Sequence, residues 1–446
     1  MAGAQSVRPH SQEGEQTSDF QSRPLHDGRL WVHVHSSKRY KSSTLDLFLP
    51  TVLQPHRATG LALISRLLER GTQSYPSLQQ LNRHTDLLYG ARYFAATQRH
   101  GAFQTLRLHF SALDDRYLPR SEALLRKGAR LLSDALHRPH APTGVFDPDW
   151  VEQEKTGLLN TLAASLADRS NRAQRRCLQI MCASEPYRLS ADGEAVEIKA
   201  FDEHTLTALL RDHLEQGVGH LYVCGDIDVD RACKLGEQFP PRTDVARKLC
   251  VGTEHTDRPA RQVVEFGEAS QGRLIVGHRS GIHLAHGDYP ALLLLNLILG
   301  GDIYGRLYRR VREQEGLCYH IASYVEPMAG FLFVEAGIEA IHLQRVLNHI
   351  VDELHTLASQ GPTSEELDNA RRISLHRLEV AADHRDALIH FDLLRRLAAA
   401  PVDRLRLVEE VRQVRVESVR DVARHIVRDT AYLLAPGLTE SAGGGV

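Results

Sequence analysis

Residues 61–72 read LALISRLLERGT and are followed from residue 75 by YPSLQQLNRHTDLLYGARY. The first run predicts a helix from about residue 58 to residue 70, ended by Gly71. Pro76 and Ser77 open a second predicted helix, which reaches about Leu88. The next segment, ARYFAATQRH (91–100), alternates as a β-strand does. Helices and strands therefore mix within one folding unit.

Further strands surround this stretch. RLWVHVHS (29–36), STLDLFLP (43–50) and FQTLRLHFSAL (103–113) alternate with the period of half-buried strands, and the first two form an extended pair around a polar turn. Amphipathic helices are predicted near 118–138, 148–168 and 203–214, before a short buried strand in HLYVCGDID (220–228). The grouping predicts an antiparallel sheet with helices on one side.

The second half of the chain repeats the first. PALLLLNLILGG (290–301) restates the helix with its glycine stop, and Gly316 and Tyr319 align with Gly90 and Tyr93 at one offset. The fold class is therefore α+β, with two tandem homologous domains that each hold a mostly antiparallel sheet. We expect a disordered, polar lead-in over 1–27, domains over 28–238 and 262–446, and a linker rich in Pro and charge over 239–261.

Residues 61–93 resemble the first catalytic helix and adjoining segment of the insulinase, or pitrilysin-like, zinc peptidases of the processing-peptidase subfamily. LERGT, YPS and TDLLYGA resemble a bacterial group of inactive homologues that includes proteins associated with modification of elongation factor P. The resemblance covers about residues 28–437. It implies the same two-domain organisation and a chain that works with a homologue.

The zinc ligands of this family have no counterpart here. The resemblance places H-x-x-E-H on Ala62, Ser65 and Arg66, and the third ligand, seven residues after Glu154, on Thr161. Ala has no donor atom, a Ser hydroxyl is a poor base and a guanidinium cannot ligate zinc. Neither metal nor catalytic residue is therefore expected within this chain. Glu154 is expected to be a solvated or helix-pairing charge.

One functional pair of the family is retained. The segment RVREQEGLCY (310–319) is similar to one in which an Arg and a Tyr, seven residues apart, hold the substrate backbone and stabilise the tetrahedral intermediate. The resemblance assigns these roles to Arg312 and Tyr319, whose side chains can donate hydrogen bonds to an oxyanion. The alternative is that Arg312 stabilises a helix C-terminus and Tyr319 begins a buried strand, so that both serve only the fold.

Composition excludes several classes of partner. A chain of 446 residues with a formal net charge of −2 has no general attraction for nucleic acid or an anionic membrane. The longest apolar run, YPALLLLNLILGG (289–301), is too short to span a bilayer. Six cysteines without a C-x-x-C pair favour a reduced, cytoplasmic protein.

Two functions remain open. The first is the catalytically silent subunit of a heterodimeric zinc peptidase, whose homologous H-x-x-E-H subunit would hold the zinc while Arg312 and Tyr319 face the bond to be cut. The second is a stand-alone peptide-binding or scaffold protein. Both imply a peptide or unfolded polypeptide as ligand.

Overall fold

The computed structural model describes residues 18–240, 259–267 and 271–437. Within them the strands form two mixed sheets. The first sheet contains β1 (Gln21–Leu25), β2 (Leu30–Ser36), β3 (Ser42–Val52), β4 (Arg92–His100), β5 (Phe103–Leu113) and β6 (Gly219–Gly225). The second contains β7 (Arg261–Gly267), β8 (Gly272–Arg279), β9 (Cys318–Glu326), β10 (Phe331–Ile338) and β11 (Val427–Pro436).

Helices follow the strands in both halves. In the first half they are α1 (Pro55–Leu68), α2 (Leu78–Leu87), α3 (Leu124–His137), α4 (Pro148–Ala167), α5 (Arg169–Met181), α6 (Ala195–Ile198), α7 (Glu203–Glu215) and α8 (Val229–Gly236). In the second half they are α9 (Tyr289–Asn296), α10 (Leu343–Gln360), α11 (Ser364–Ala382), α12 (Arg385–Leu397), α13 (Arg404–Gln413) and α14 (Val416–Arg424), with π-helical segments at Leu297–Gly301 and Tyr308–Gln314.

The strand orders confirm the internal repeat. The first sheet runs β1-β2-β6-β3-β5-β4 and the second runs β7-β11-β8-β10-β9. Apart from β1, each strand of the first sheet has its counterpart at the same place in the second. The pairings β2 with β6 and β7 with β11 are parallel, whereas the others are antiparallel. The predicted α+β class with two homologous, mostly antiparallel units is therefore confirmed.

Each sheet is covered on both faces, because one helix of each half packs on the sheet of the other half. Along β3, Leu45, Leu47 and Leu49 pack with helices of the first half, whereas Phe48 joins the core of the second half. On β8, Ile275 packs with Cys177 and Met181 of α5. β3, which the sequence predicts to be half-buried, is thus buried on both faces.

Polar contacts fix the two exchanged helices. The Tyr222 hydroxyl donates to the buried Asp392 carboxylate of α12 (2.8 Å), which also accepts from Arg395 and Arg396 (2.6 Å each). Behind α5, the buried Arg279 guanidinium donates to Glu185 (2.6 Å) and Asp429 (2.7 Å). These contacts join the two repeats into one packed unit.

Three expectations from the sequence need correction. β2 and β3 do not pair with each other, since β6 lies between them. The lead-in is ordered over residues 18–27, because β1 pairs with β2 through its backbone and Phe20 is buried beside it; residues 1–17 lie outside the described residues. Most of the predicted linker (239–261) also lies outside the described residues. Strand β7 begins at Arg261, the last residue of that predicted linker. Helix α5 was not predicted.

Burial of several histidines gives a prediction about acid stability. Burial lowers the pKa of His278 to about 4 and that of His100 to about 3, from an ordinary 6.5, and lowers the pKa of His33 as well. The neutral forms are therefore favoured in the folded chain. Above pH 6.5 this stability is fully present; as the pH falls below 6.5 the unfolded chain takes up protons that the folded chain does not, and stability is lost.

We expect His278→Asn to reduce this pH dependence. His278 Nδ1 donates to the Leu332 carbonyl (3.1 Å), a bond that an Asn amide can retain. One titrating group contributes a slope of about 1.4 kcal/mol per pH unit. Urea unfolding at pH 6, 5.5 and 5 gives the free energy of unfolding as a function of pH. For His278→Asn this free energy should change with pH less steeply than for the wild type, by about that amount. Parallel curves for the two proteins would contradict the assignment to His278.

Candidate functional site

Helix α1 places Ala62, Ser65 and Arg66 as the resemblance requires, two of them in the core. Pro55 at the first turn starts the helix, and Ala62 and Ser65 are both buried. The Ser65 hydroxyl donates to the Ala62 carbonyl (2.9 Å), so it is engaged within its own helix. Neither residue offers a ligand or base at the surface of α1.

Arg66 lies against α4, where it shares one carboxylate with Arg70. Arg66 Nε donates to Glu154 Oε2, and Arg70 Nε donates to Glu154 Oε1, each at 2.6 Å. The Glu154 side chain is almost fully buried, and Arg70 also donates to Gln153 (2.7 Å). Of the two alternatives for Glu154, the structure shows a helix-pairing charge and not a solvated one, because the helix face that carries it is covered by α1.

Gly157 makes this arrangement possible. A Cβ atom at this position would stand 2.6 Å from Arg66 Nη2. One turn further, Thr161 is exposed and its hydroxyl donates to the Gly157 carbonyl (2.9 Å). Glu154, Gly157 and Thr161 share a face of α4 because they are spaced by three and four residues. The side chain at Thr161 faces outward and is engaged with its own helix.

These residues do not fit zinc. Zinc takes neutral imidazole, thiolate or carboxylate donors, whereas Arg66 brings a fixed positive charge to the position. Over residues 18–240, 259–267 and 271–437, no three His, Cys, Asp or Glu side chains converge so as to hold a metal ion. The guanidinium pair on Glu154 joins α1 to α4 without a metal.

Glu69 is a further charged residue of this region that the sequence reasoning missed. Its carboxylate accepts from the Ala95 amide of β4 (3.0 Å), and burial raises its pKa. The Tyr93 hydroxyl donates to the Leu68 carbonyl (2.9 Å), so edge strand β4 is tied to the end of α1 at two points. The LERGT segment contains Glu69, but its spacing alone does not show the contact with a strand 26 residues away.

The structure brings Arg312 and Tyr319 together. The Arg312 guanidinium lies 5.7 Å from the centre of the Tyr319 ring and 4.6 Å from that of Tyr308, to whose hydroxyl it also donates. Tyr308, four residues before Arg312 on the same helical segment, was missed by the sequence reasoning. Its spacing is the signal that could have found it.

The repeat shows that Tyr319 does not have the role of its counterpart. Gly90 and Gly316 both have positive φ (69° and 62°) and both precede an edge strand. Tyr93 is turned inward and bonded to α1, whereas the Tyr319 side chain is 76% exposed. The alternative that Tyr319 begins a buried strand and serves only the fold is not favoured by this exposure.

Comparison with known proteins points to one family. The family described as Peptidase M16 inactive domain matches residues 206–374. A relative from Bacillus subtilis (strain 168), named Probable inactive metalloprotease YmfF, is 24% identical over 409 residues that cover 91% of this chain and 96% of the relative. Over residues 206–374 the chain is therefore similar to the inactive domain of M16, or insulinase-like, peptidases, and over nearly its whole length it is similar to a relative named as an inactive metalloprotease.

Solved structures show that the M16 fold extends over nearly the whole chain. A conserved protein from Enterococcus faecalis V583 has a TM-score of 0.87 at 22% identity and covers 95% of this chain and 100% of its own. A peptidase M16 inactive domain from Pseudomonas fluorescens has a TM-score of 0.74 at 19% identity, covering 94% and 98%. Together the matches support an inactive peptidase homologue of the M16 family; the processing-peptidase subfamily and the elongation factor P group stay predictions.

The M16 match leaves the cellular location open. In the described parts of the chain, no helix is both long and apolar enough to cross a membrane. A cytoplasmic location stays a prediction.

The shared carboxylate predicts a specific loss of stability. Glu154→Gln would leave Arg66 and Arg70 beside an uncharged amide. Breaking a buried ion pair costs about 3–5 kcal/mol, and the partial exposure of both arginines reduces our expectation to about 2 kcal/mol. The matched control is Glu152→Gln on the same helix, because the exposed Glu152 forms a surface ion pair with Lys155 and should change stability by less than about 0.5 kcal/mol. Equal denaturation midpoints for the two variants would contradict the bridging role.

Proposed function

We propose that this chain is the noncatalytic subunit of a heterodimeric M16 zinc peptidase. It contributes one half of a peptide chamber and presents Arg312 and Tyr319 to a bond held at the zinc of an H-x-x-E-H partner. The observation that carries this proposal is the exposed Tyr319 stacked beside Arg312. A side chain that acts on a partner's substrate must be accessible, and Tyr319 is.

The geometry suits stabilisation of an oxyanion. Tyr308 supports Arg312 through its ring and hydroxyl, and the Tyr319 ring lies near the same guanidinium. A guanidinium held in this way loses little freedom when a charged oxygen arrives, which is the condition for effective electrostatic stabilisation. Burial raises the pKa of the neighbouring Cys318 to about 11, so its thiol stays neutral and does not compete for Arg312.

The degenerate site in the first half also supports a partner that holds the zinc while this chain contacts the substrate. Arg66 occupies a position at which the family resemblance expects a zinc ligand, and it forms an ion cluster with Glu154 and Arg70. The chain thus retains the M16 fold with one candidate substrate-binding pair and no fitting metal site of its own among the described residues. Zinc would be supplied by the partner.

Arg312→Ala and Tyr319→Phe should each lower turnover by the zinc-bearing partner while leaving folding nearly unchanged. Removal of one preorganised oxyanion donor costs about 10² or more in rate. The chain is first recovered from its source cells with a stoichiometric H-x-x-E-H homologue, and kcat and melting temperature are then measured for each reconstituted variant. Arg309→Ala and Tyr304→Phe, two exposed positions of the same region, are the controls.

Two results would count against this function. Unchanged kcat with a lowered melting temperature would assign Arg312 and Tyr319 to the fold. A stable homodimer that binds peptide and recovers no zinc-bearing homologue would favour the stand-alone scaffold function instead.

A further inference from the structure

A cleft of about 550 Å³ lies between the two halves of the chain, away from Arg312 and Tyr319. Its first wall comes from the end of β4, the end of α4, α5 and the turn around Tyr187. Its second wall comes from Tyr324 to Pro327 and Phe333 of the second half. The cleft exists only because α5 crosses from the first repeat onto the second sheet.

Two guanidinium groups line this cleft, and the Glu326 carboxylate interacts electrostatically with one of them, that of Arg99. Arg99 donates to the carbonyls of Gly101 and Tyr187 (2.9 Å each) and lies 5.6 Å from the centre of the Tyr187 ring. Arg188, the next residue, is exposed. Neither arginine forms an ion pair with any residue that the structure describes. Arg175, by contrast, is already paired with Glu194 (2.7 Å).

The opposite wall adds a hydrogen-bond donor. The Tyr324 hydroxyl accepts from Gln174 Nε2 (2.7 Å), so its own hydrogen is free to donate into the cleft. The Glu326 carboxylate is turned toward the Ala329 amide (2.6 Å), and burial raises its pKa. Among the residues lining the cleft, Asp192 and Glu326 are the carboxylates that would repel an anion, and of the two Glu326 is engaged with a backbone amide.

The cleft lies at a defined distance from Arg66, whose ion-pair partner is Glu154. Glu154 and Ser165 lie on one face of α4, and eleven residues of helix span about 16 Å. Along edge strand β4, the four residue-to-residue steps from Ala95 to Arg99 span about 13 Å. Both measures correspond to about four or five residues of an extended chain.

We propose that this cleft binds a carboxylate carried by a peptide, either an acidic side chain or the C-terminal carboxylate, through Arg188, Arg99 and Tyr324. The carboxylate would lie about four or five residues from the part of the peptide that passes Arg66. This inference rests on the proposed peptide-binding role of the chain but not on its heterodimeric assembly.

The test uses the purified full chain and three fluorescein-labelled octapeptides of Gly, Ser and Ala. The first contains one Glu and ends in an amide, the second has Gln in its place and a free C-terminal carboxylate, and the third has Gln and an amide. Fluorescence anisotropy should show the first or the second binding about ten-fold more tightly than the third, since hydrogen bonds between charged groups are the stronger kind. The first and second peptides distinguish the two sources of the carboxylate.

Variants test whether the positive charge of Arg188 recognises the carboxylate of the peptide. Arg188→Gln should abolish the preference for a carboxylate, Arg188→Lys should retain most of it, and Arg130→Gln, an exposed position on α3 outside the cleft, should leave it unchanged. Asp192→Asn should tighten binding of the acidic peptide. Equal binding of all three peptides, an unaltered preference in Arg188→Gln, or weaker binding in Asp192→Asn would each overturn the inference. None of these measurements involves a zinc-bearing partner. A negative result here can therefore be distinguished from a negative result in the turnover experiment.

Discussion

The Glu154 carboxylate, shared between Arg66 and Arg70, is the interaction on which the character of this chain depends. It joins α1 to α4, the two helices from which an M16 enzyme would draw its zinc ligands, and the Arg66 guanidinium lies against Gly157. A buried charge needs a close partner, because its desolvation otherwise exceeds what the rest of the packing supplies. Ion pairs among three side chains therefore link the two helices, in the region where an M16 enzyme would bind zinc.

A second constraint acts between the repeats. One face of each sheet packs on helices of its own half, and the other face packs on a helix from the opposite half. The bond from Tyr222 to Asp392 fixes α12 on the first sheet, and the bond from Arg279 to Glu185 fixes the end of α5 on the second. This exchange explains why both faces of the central strands are buried. It also creates the cleft beside Arg99 and Arg188, which a separate first half would not contain.

The sequence predicted what depends on local pattern. Strand β5 has the predicted bounds, and the offset that aligns Gly90 with Gly316 correctly indicated two copies of one topology, with both glycines in the left-handed region. The motif spacing that singled out Arg312 and Tyr319 corresponds to two side chains that lie close together in the structure. The sequence did not predict that β6 separates β2 from β3, because strand order depends on pairing between residues about 190 apart. The burial of Glu154 and the support of Arg312 by Tyr308 were missed because each depends on packing that spacing alone does not fix.

Zinc content is the most direct measure of whether the cluster on Glu154 has replaced the metal site. The purified wild-type chain would be dialysed against buffered zinc, freed of loosely bound metal and assayed by elemental analysis, with cleavage of an unfolded polypeptide followed on the same sample. We predict no stoichiometric zinc and no cleavage, because Ala62, Ser65, Arg66 and Thr161 leave no ligand set. One tightly held zinc ion per chain, or zinc-dependent cleavage by the chain alone, would contradict this account.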